Sequence, residues 1–233
     1  MAAGELNIDV NGGGVDTIQI VIMMTLIALI PSILIMMTSF TRIIIILSFL
    51  RNALGVQQVP PNQVLIGIAL FLSLFIMSPV ISEINTVAYE PYKAQKITQE
   101  QFLKQATVPL KKFMLKQTSK DDINLFVEIS KTQIFKEGEE VKKLSNEQLL
   151  EKLPMTVVIP AFMTSELKHA FLIGFLIFIP FLLIDMIVSS TLMSMGMMML
   201  PPVMISLPFK ILLFVLVDGW GLMMKSLVIS FNT

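Results

Sequence analysis

Four long apolar blocks dominate this chain and leave it few folds. The first runs from Thr17 to Thr41 without a charge, is interrupted by Pro31, and continues past Arg42 through Leu50 to Arg51. The second is Val64 to Ser82. The third runs from about Phe162 to Leu200, with Glu166, Lys168 and His169 near its start and Asp185 inside; the fourth is Val203 to Phe231, with Lys210, Asp218 and Lys225 inside. Each is long enough to cross roughly 30 Å of hydrocarbon as a helix of about 20 residues. Strands of a membrane barrel would instead alternate over segments of about ten. With 55% hydrophobic residues and only 15% charged, against about 25% charged in an ordinary soluble domain, a soluble globule could not hide so much apolar chain. The predicted class is an all-α membrane-assembly protein.

The charges are concentrated in one place. Residues 83–160 hold 12 of the 17 Lys/Arg and 11 of the 17 Asp/Glu. This divides the chain into a polar N-terminal tail (1–16), a first apolar helical hairpin (17–82), a polar helical insert (83–160) and a second apolar hairpin (161–233) with a methionine-rich loop. Each hairpin turns through a Pro-Pro pair, Pro60-Pro61 in the first and Pro201-Pro202 in the second. Proline suits the first turn of a helix, where its missing N–H would be unpaired anyway. Arg42 and Arg51 in the first connection, against an acidic tail, place that connection in the cytoplasm by the positive-inside rule and the insert outside. Glu5, Asp9 and Asp16 replace the basic start of a signal peptide.

The insert reads as helical. Thr98 with Gln101, and Ser145 with Gln148, match capping boxes. Phe102, Leu103, Ala106, Leu110, Phe113 and Met114 recur at helical spacing, with Pro109 expected to break that run in two. Ser119 with Asp122 is expected to open another helix. The insert is expected to serve as a solvated cap or docking surface.

No cysteine and a single histidine leave no thiolate chemistry and no intrachain cysteine or histidine metal cluster. Zero formal net charge without a basic block argues against nucleic acid. Ser165-Glu166-Leu167-Lys168 matches the S-x-x-K pattern of acyl-transfer enzymes, but no Lys-Thr-Gly follows, and Ser165 falls where a helix N-cap is expected. No enzyme, metal site or cofactor is predicted.

Two features remain. Met193-Ser194-Met195-Gly196-Met197-Met198-Met199 precedes Pro201-Pro202. Methionine's unbranched thioether adapts its shape, so such loops could close around a variable object. The Met-x-Met spacing could also serve a copper pathway, or the residues could simply fill a hairpin tip. Lys210, Asp218 and Lys225 are spaced to lie within about 80° on one helical stripe. Lys210 and Asp218 are nevertheless roughly 12 Å apart along the axis, so their partners must come from another helix or subunit. Asp185 and Glu166 are the candidates in this chain.

Residues 40–80, FTRIIIILSFLRNALGVQQVPPNQVLIGIALFLSLFIMSPV, and 161–220, AFMTSELKHAFLIGFLIFIPFLLIDMIVSSTLMSMGMMMLPPVMISLPFKILLFVLVDGW, closely resemble the FliP/SctR family of type III export-gate proteins, the flagellar branch more than the virulence branch. The resemblance implies a pore-forming subunit in the bacterial inner membrane at the flagellar basal body. Several copies would wind with FliQ and FliR into a conical assembly through which unfolded flagellar subunits pass. Met197, Met198 and Met199 would form the gasket of the closed pore, and Glu166 and Lys210 would make salt bridges between neighbouring subunits. The family also implies apolar helices packed largely against each other and raised out of the bilayer plane.

Overall fold

The computed structural model describes residues 8–10, 13–15, 17–56, 58–130, 141, 144–197 and 200–232. Among the described residues the chain is all-α, apart from one short antiparallel ribbon of β1 (Ile8–Val10) on β2 (Gly13–Val15). The helices are α1 (Thr17–Met37), α2 (Phe40–Leu54), α3 (Asn62–Ile84), α4 (Glu90–Lys93), α5 (Gln99–Gln117), α6 (Lys120–Ser130), α7 (Asn146–Lys152), α8 (Met155–Ser194), α9 (Pro202–Leu216) and α10 (Gly219–Asn232). A single π-helical turn, Asn85–Tyr89, joins α3 to α4.

The first apolar block breaks at Thr38–Ser39 rather than at Pro31, which α1 runs through. Hydroxyls cause the break. Ser39 Oγ donates to Ser73 Oγ (3.1 Å), Ser73 Oγ donates to Thr38 Oγ1 (3.2 Å), and Thr38 Oγ1 accepts from the Phe40 amide (3.3 Å). Such side chains offer the backbone an alternative to the helical ladder. Pro109 does not divide α5 either, which is continuous from Gln99 to Gln117. Its packing against α3, α7 and α8 outweighs the lost hydrogen bond. Both capping boxes form, at Thr98–Gln101 and Ser145–Gln148. Pro202 occupies the first turn of α9.

The third block starts earlier than its apolar pattern. α8 begins at Met155 and runs 40 residues through Pro160 and Pro180, about 60 Å, twice the thickness of the hydrocarbon layer. Ser165 is therefore mid-helix, not an N-cap. The insert does not fold apart from this helix: Met114 and Leu115 of α5, Ile123 of α6 and Leu149 of α7 share a core with Val157, Val158, Ala161 and Phe162 of α8. A second core centres on α2, whose Ile43, Ile46 and Leu47 meet Leu65 and Ala69 of α3, Ala170 of α8, and Leu227 and Phe231 of α10. Gly174 lets α2 and α8 approach closely, since a Cβ there would fall 2.6 Å from Phe49 Cγ. α8 is the spine that both cores share.

The fourth block is not one helix. α9 and α10 meet at 65°, with Asp218 at φ +50° in the corner. The stripe of Lys210, Asp218 and Lys225 does not exist, because the angular count that aligned them cannot cross a bend.

Candidate functional site

Three carboxylates pin neighbouring helices to α8 or its packing partners, and each meets a cation within the same chain. The most buried is Glu166, whose side chain is fully enclosed. Arg42, in the first turn of α2, grips it with a two-pronged fork: Nε donates to Oε2 at 2.8 Å, and Nη2 donates to Oε1. The remaining guanidinium hydrogens are also used. Nη1 donates to the Ser230 carbonyl (3.1 Å), and Nη2 reaches Gln117 Oε1 (3.3 Å) and lies 3.3 Å from His169 Nδ1. The guanidinium carbon sits 3.9 Å over the Phe231 ring, a cation–π contact. Gln117 Nε2 in turn donates to the Phe231 carbonyl (3.0 Å). Four helices, α2, α5, α8 and α10, meet at this ion pair. Burying two ions is costly, and only bidentate geometry with every remaining polar group bonded offsets that cost.

Arg42 is the functional residue that sequence reasoning missed, having counted it as a cytoplasmic loop charge. It is buried in helix, so Arg51 alone now carries the charge argument for orientation. The signal was available: a lone cation between Thr17 and Leu50 needs a carboxylate, and the apolar blocks hold few.

The second node fastens α6 to α8. Asp122, buried, accepts from Ser165 Oγ at 2.6 Å and from Lys168 Nζ, while Ser165 Oγ accepts from the Ser119 amide at 3.0 Å. The S-x-x-K pair thus serves a structural junction; α6 opens after Ser119 as expected, with Ser119 Oγ accepting from the Asp121 amide at 3.2 Å, while Asp122 turns to α8. Asp122→Ala is expected to destabilise the chain by about 1–3 kcal/mol, because Ser165 loses its acceptor in a dry site. Lys168→Ala should cost more, approaching about 3–5 kcal/mol, because the Asp122 carboxylate that it strands is 1% exposed and keeps only Ser165. Thermal unfolding of the two purified variants checks the contrast, and equal losses would refute it.

The third node lies between α8 and α9. Lys210 Nζ donates to Asp185 Oδ2 (2.6 Å) and to the Ala53 carbonyl (3.2 Å) at the C-terminal end of α2, where a cation also suits the helix dipole. Ser206 Oγ donates to Asp185 Oδ1 at 2.5 Å. Asp185 is thus the partner Lys210 needed. Asp218 and Lys225, expected as buried partners, are instead exposed on the subunit, and neither forms an ion pair among the described residues.

At the far end of α8 the helix closes with a Schellman turn. Gly196, at φ +74°, donates from its amide to the Met193 carbonyl, and the Met197 amide donates to the Leu192 carbonyl. Met193, Met195 and Met197 are exposed there, at 63%, 68% and 40%. Met198 and Met199 lie outside the described residues. Among the described residues no group of three His, Cys, Asp or Glu could hold a metal ion.

Long helices apolar enough to cross a membrane (Asn62–Lys93, Met155–Ser194 and the bent pair α9–α10), left largely uncovered while Glu166, Asp185 and Lys210 are paired within the chain, define a helical membrane protein. The chain belongs to the FliP family, whose model matches residues 23–227. It is 54% identical to the flagellar biosynthetic protein FliP of Bacillus subtilis (strain 168) over 93% of this chain and 92% of that protein. It is 50% identical to the protein of the same name from Aquifex aeolicus (strain VF5), over 95% and 88% of the two chains. With that of Pectobacterium carotovorum the identity is 49%, over 95% and 82%.

Proposed function

We propose that this chain is a pore-forming subunit of the flagellar type III protein export gate in the bacterial inner membrane. Several copies would assemble with FliQ and FliR and pass unfolded flagellar subunits. The observation that carries this reading is the uncovered apolar surface: α3, the middle of α8 and α9 present Phe71, Phe75, Phe171, Phe175, Met204 and Leu216 outward. The lipid of a bilayer and the flanks of other subunits are both apolar enough to cover it. The shared name of the three relatives above, flagellar biosynthetic protein FliP, supports the flagellar branch over a virulence secretion system.

In this assembly the loop before Pro201 faces the conduit, with Met197, Met198 and Met199 as the seal. A passing chain presents side chains of many sizes, so a seal must be apolar enough to exclude hydrated ions and soft enough to deform. Rings of charged side chains would select by charge instead. Methionine satisfies both demands. The proposal assigns the chain the shape of a conduit and no chemistry of its own.

Bridges between copies fall to groups with room to make them. Glu166 is sealed inside the subunit behind Arg42, so it acts on assembly through the fold. Asp185, its side chain 30% exposed, can take a further partner from a neighbour while it holds Lys210, and the exposed Asp218 and Lys225 take partners on adjacent chains.

Replacing Met197, Met198 and Met199 together by alanine should leave assembly intact and make the purified complex leak ions in planar-bilayer recordings. Unchanged conductance would reduce the loop to a structural tip. Stoichiometric Cu(I) binding by the parent protein would favour a copper pathway instead.

A further inference from the structure

We infer that the cleft between the C-terminal end of α3 and the middle of α5 binds an anionic phospholipid, with its phosphodiester at Lys112 and Lys116 and an acyl chain along the outer stripe of α3. The inference concerns the subunit while its apolar helices sit in a bilayer, before it joins the raised assembly that the family resemblance implies, and it does not depend on the export reading.

The cleft, of about 190 Å³, is divided by chemistry. Ile76, Pro79 and Val80 form an apolar wall, while Glu83, Lys112 and Lys116 form a charged mouth. Its position is that of a headgroup. α3 carries no charge from Asn62 to Ser82, and Glu83 is the first, so the cleft opens where an apolar span gives way to the polar insert. Phe71, Phe75 and Pro79 succeed one another at four-residue spacing and so share one face. Phe71 and Phe75 are 77% and 67% exposed, and they lead about 12 Å away from the cleft along the helix. That stripe would place a hydrocarbon chain in line with a group held at the mouth.

The charges match a single phosphodiester. Lys112 Nζ lies 3.7 Å from Glu83 Oε1, and Lys116, one turn further along α5, is exposed with no ion pair among the described residues. Two ammonium groups against one carboxylate leave one positive charge, and an anionic phospholipid brings one negative charge. The floor is already built: Phe113 stacks on Phe231 at 6.4 Å between ring centres, and Gln117 holds the Phe231 carbonyl. A soluble phosphate would satisfy the lysines but gain nothing from the apolar stripe.

Native mass spectrometry of the full chain, released from micelles doped equally with phosphatidylglycerol and phosphatidylcholine, tests this. The parent should retain phosphatidylglycerol preferentially. Lys112→Gln and Lys116→Gln should each weaken that preference roughly fivefold, whereas Lys93→Gln and Lys104→Gln, exposed elsewhere on the insert, should leave it unchanged. Glu83→Gln removes the competing carboxylate and should strengthen retention. Millimolar glycerol phosphate should not displace the lipid; full displacement would mean that a free phosphate site exists and the acyl-chain half is wrong. Equal retention of both lipids by the parent, or an undiminished preference in the double lysine variant, would overturn the proposal.

Discussion

Glu166→Ala is expected to cost the folded subunit about 3–5 kcal/mol, the range for breaking a buried ion pair by removing one partner. The carboxylate is fully enclosed and Arg42 nearly so, so removing one ion strands the other in a site with no water to replace it. The damage should spread beyond the pair, because the same guanidinium holds the Ser230 carbonyl of α10 and Gln117 of α5. Arg42→Ala should be comparably severe, since both survivors are equally dry. Replacing both ions by apolar residues of similar volume (Arg42→Met with Glu166→Leu) should recover most of the loss, because the desolvation cost disappears along with the attraction. Reversible unfolding in mixed micelles, followed by helical circular dichroism, measures each variant, and Arg42→Ala with Glu166→Ala in one chain closes the double-mutant cycle. A Glu166→Ala chain within about 1 kcal/mol of the parent would show that water reaches the site, and the account of the junction would fail.

At the second large effect the two partners should differ. Asp185→Ala leaves the Lys210 ammonium, nearly fully buried, with only the Ala53 carbonyl at 3.2 Å. Lys210→Ala leaves Asp185 partly open to solvent and still bonded to Ser206. A stranded charge costs what its surroundings withhold. Asp185→Ala should therefore approach about 3–5 kcal/mol, and Lys210→Ala about 1.5–3 kcal/mol, the range for a hydrogen bond to a charged group. The more exposed residue is the more damaging one to delete. Measuring both variants in the same micelles decides it, and the reverse order would mean that Lys210 is wetter than its packing indicates. Under the export reading, both variants should also weaken association between copies, because this node ties together the two helices that lead into the methionine-bearing α8–α9 turn.

Local chemistry is the part of this molecule most legible in its sequence. The two capping boxes each involve residues three apart and form as expected, and Pro202 opens α9 because a helix start tolerates its missing N–H. Where expectation and structure part, packing has overridden a local rule. Pro109 was expected to split α5, but α5 is held by neighbouring helices, and α8 continues through Pro160 where Val157, Val158 and Ala161 are packed likewise. The first turns of α8, from Met155 onward, read as part of the insert because the apolar run proper begins later. Asp218 misled most: a helical wheel drawn through it put Lys210 and Lys225 on one face, and the 65° corner separates them.

The helical class and the family can be read from the chain's residues alone, because each depends on runs and spacings within one segment. Which ions meet is settled only by how the helices pack. Arg42 and Glu166 are 124 residues apart, and Asp185 and Lys210 are 25 apart on different helices. Periodicity says which face of a helix a charge occupies but not which helix comes to lie against it. That choice is made by the close approach of α2 to α8 at Gly174 and by the corner between α9 and α10, both properties of helices packed together.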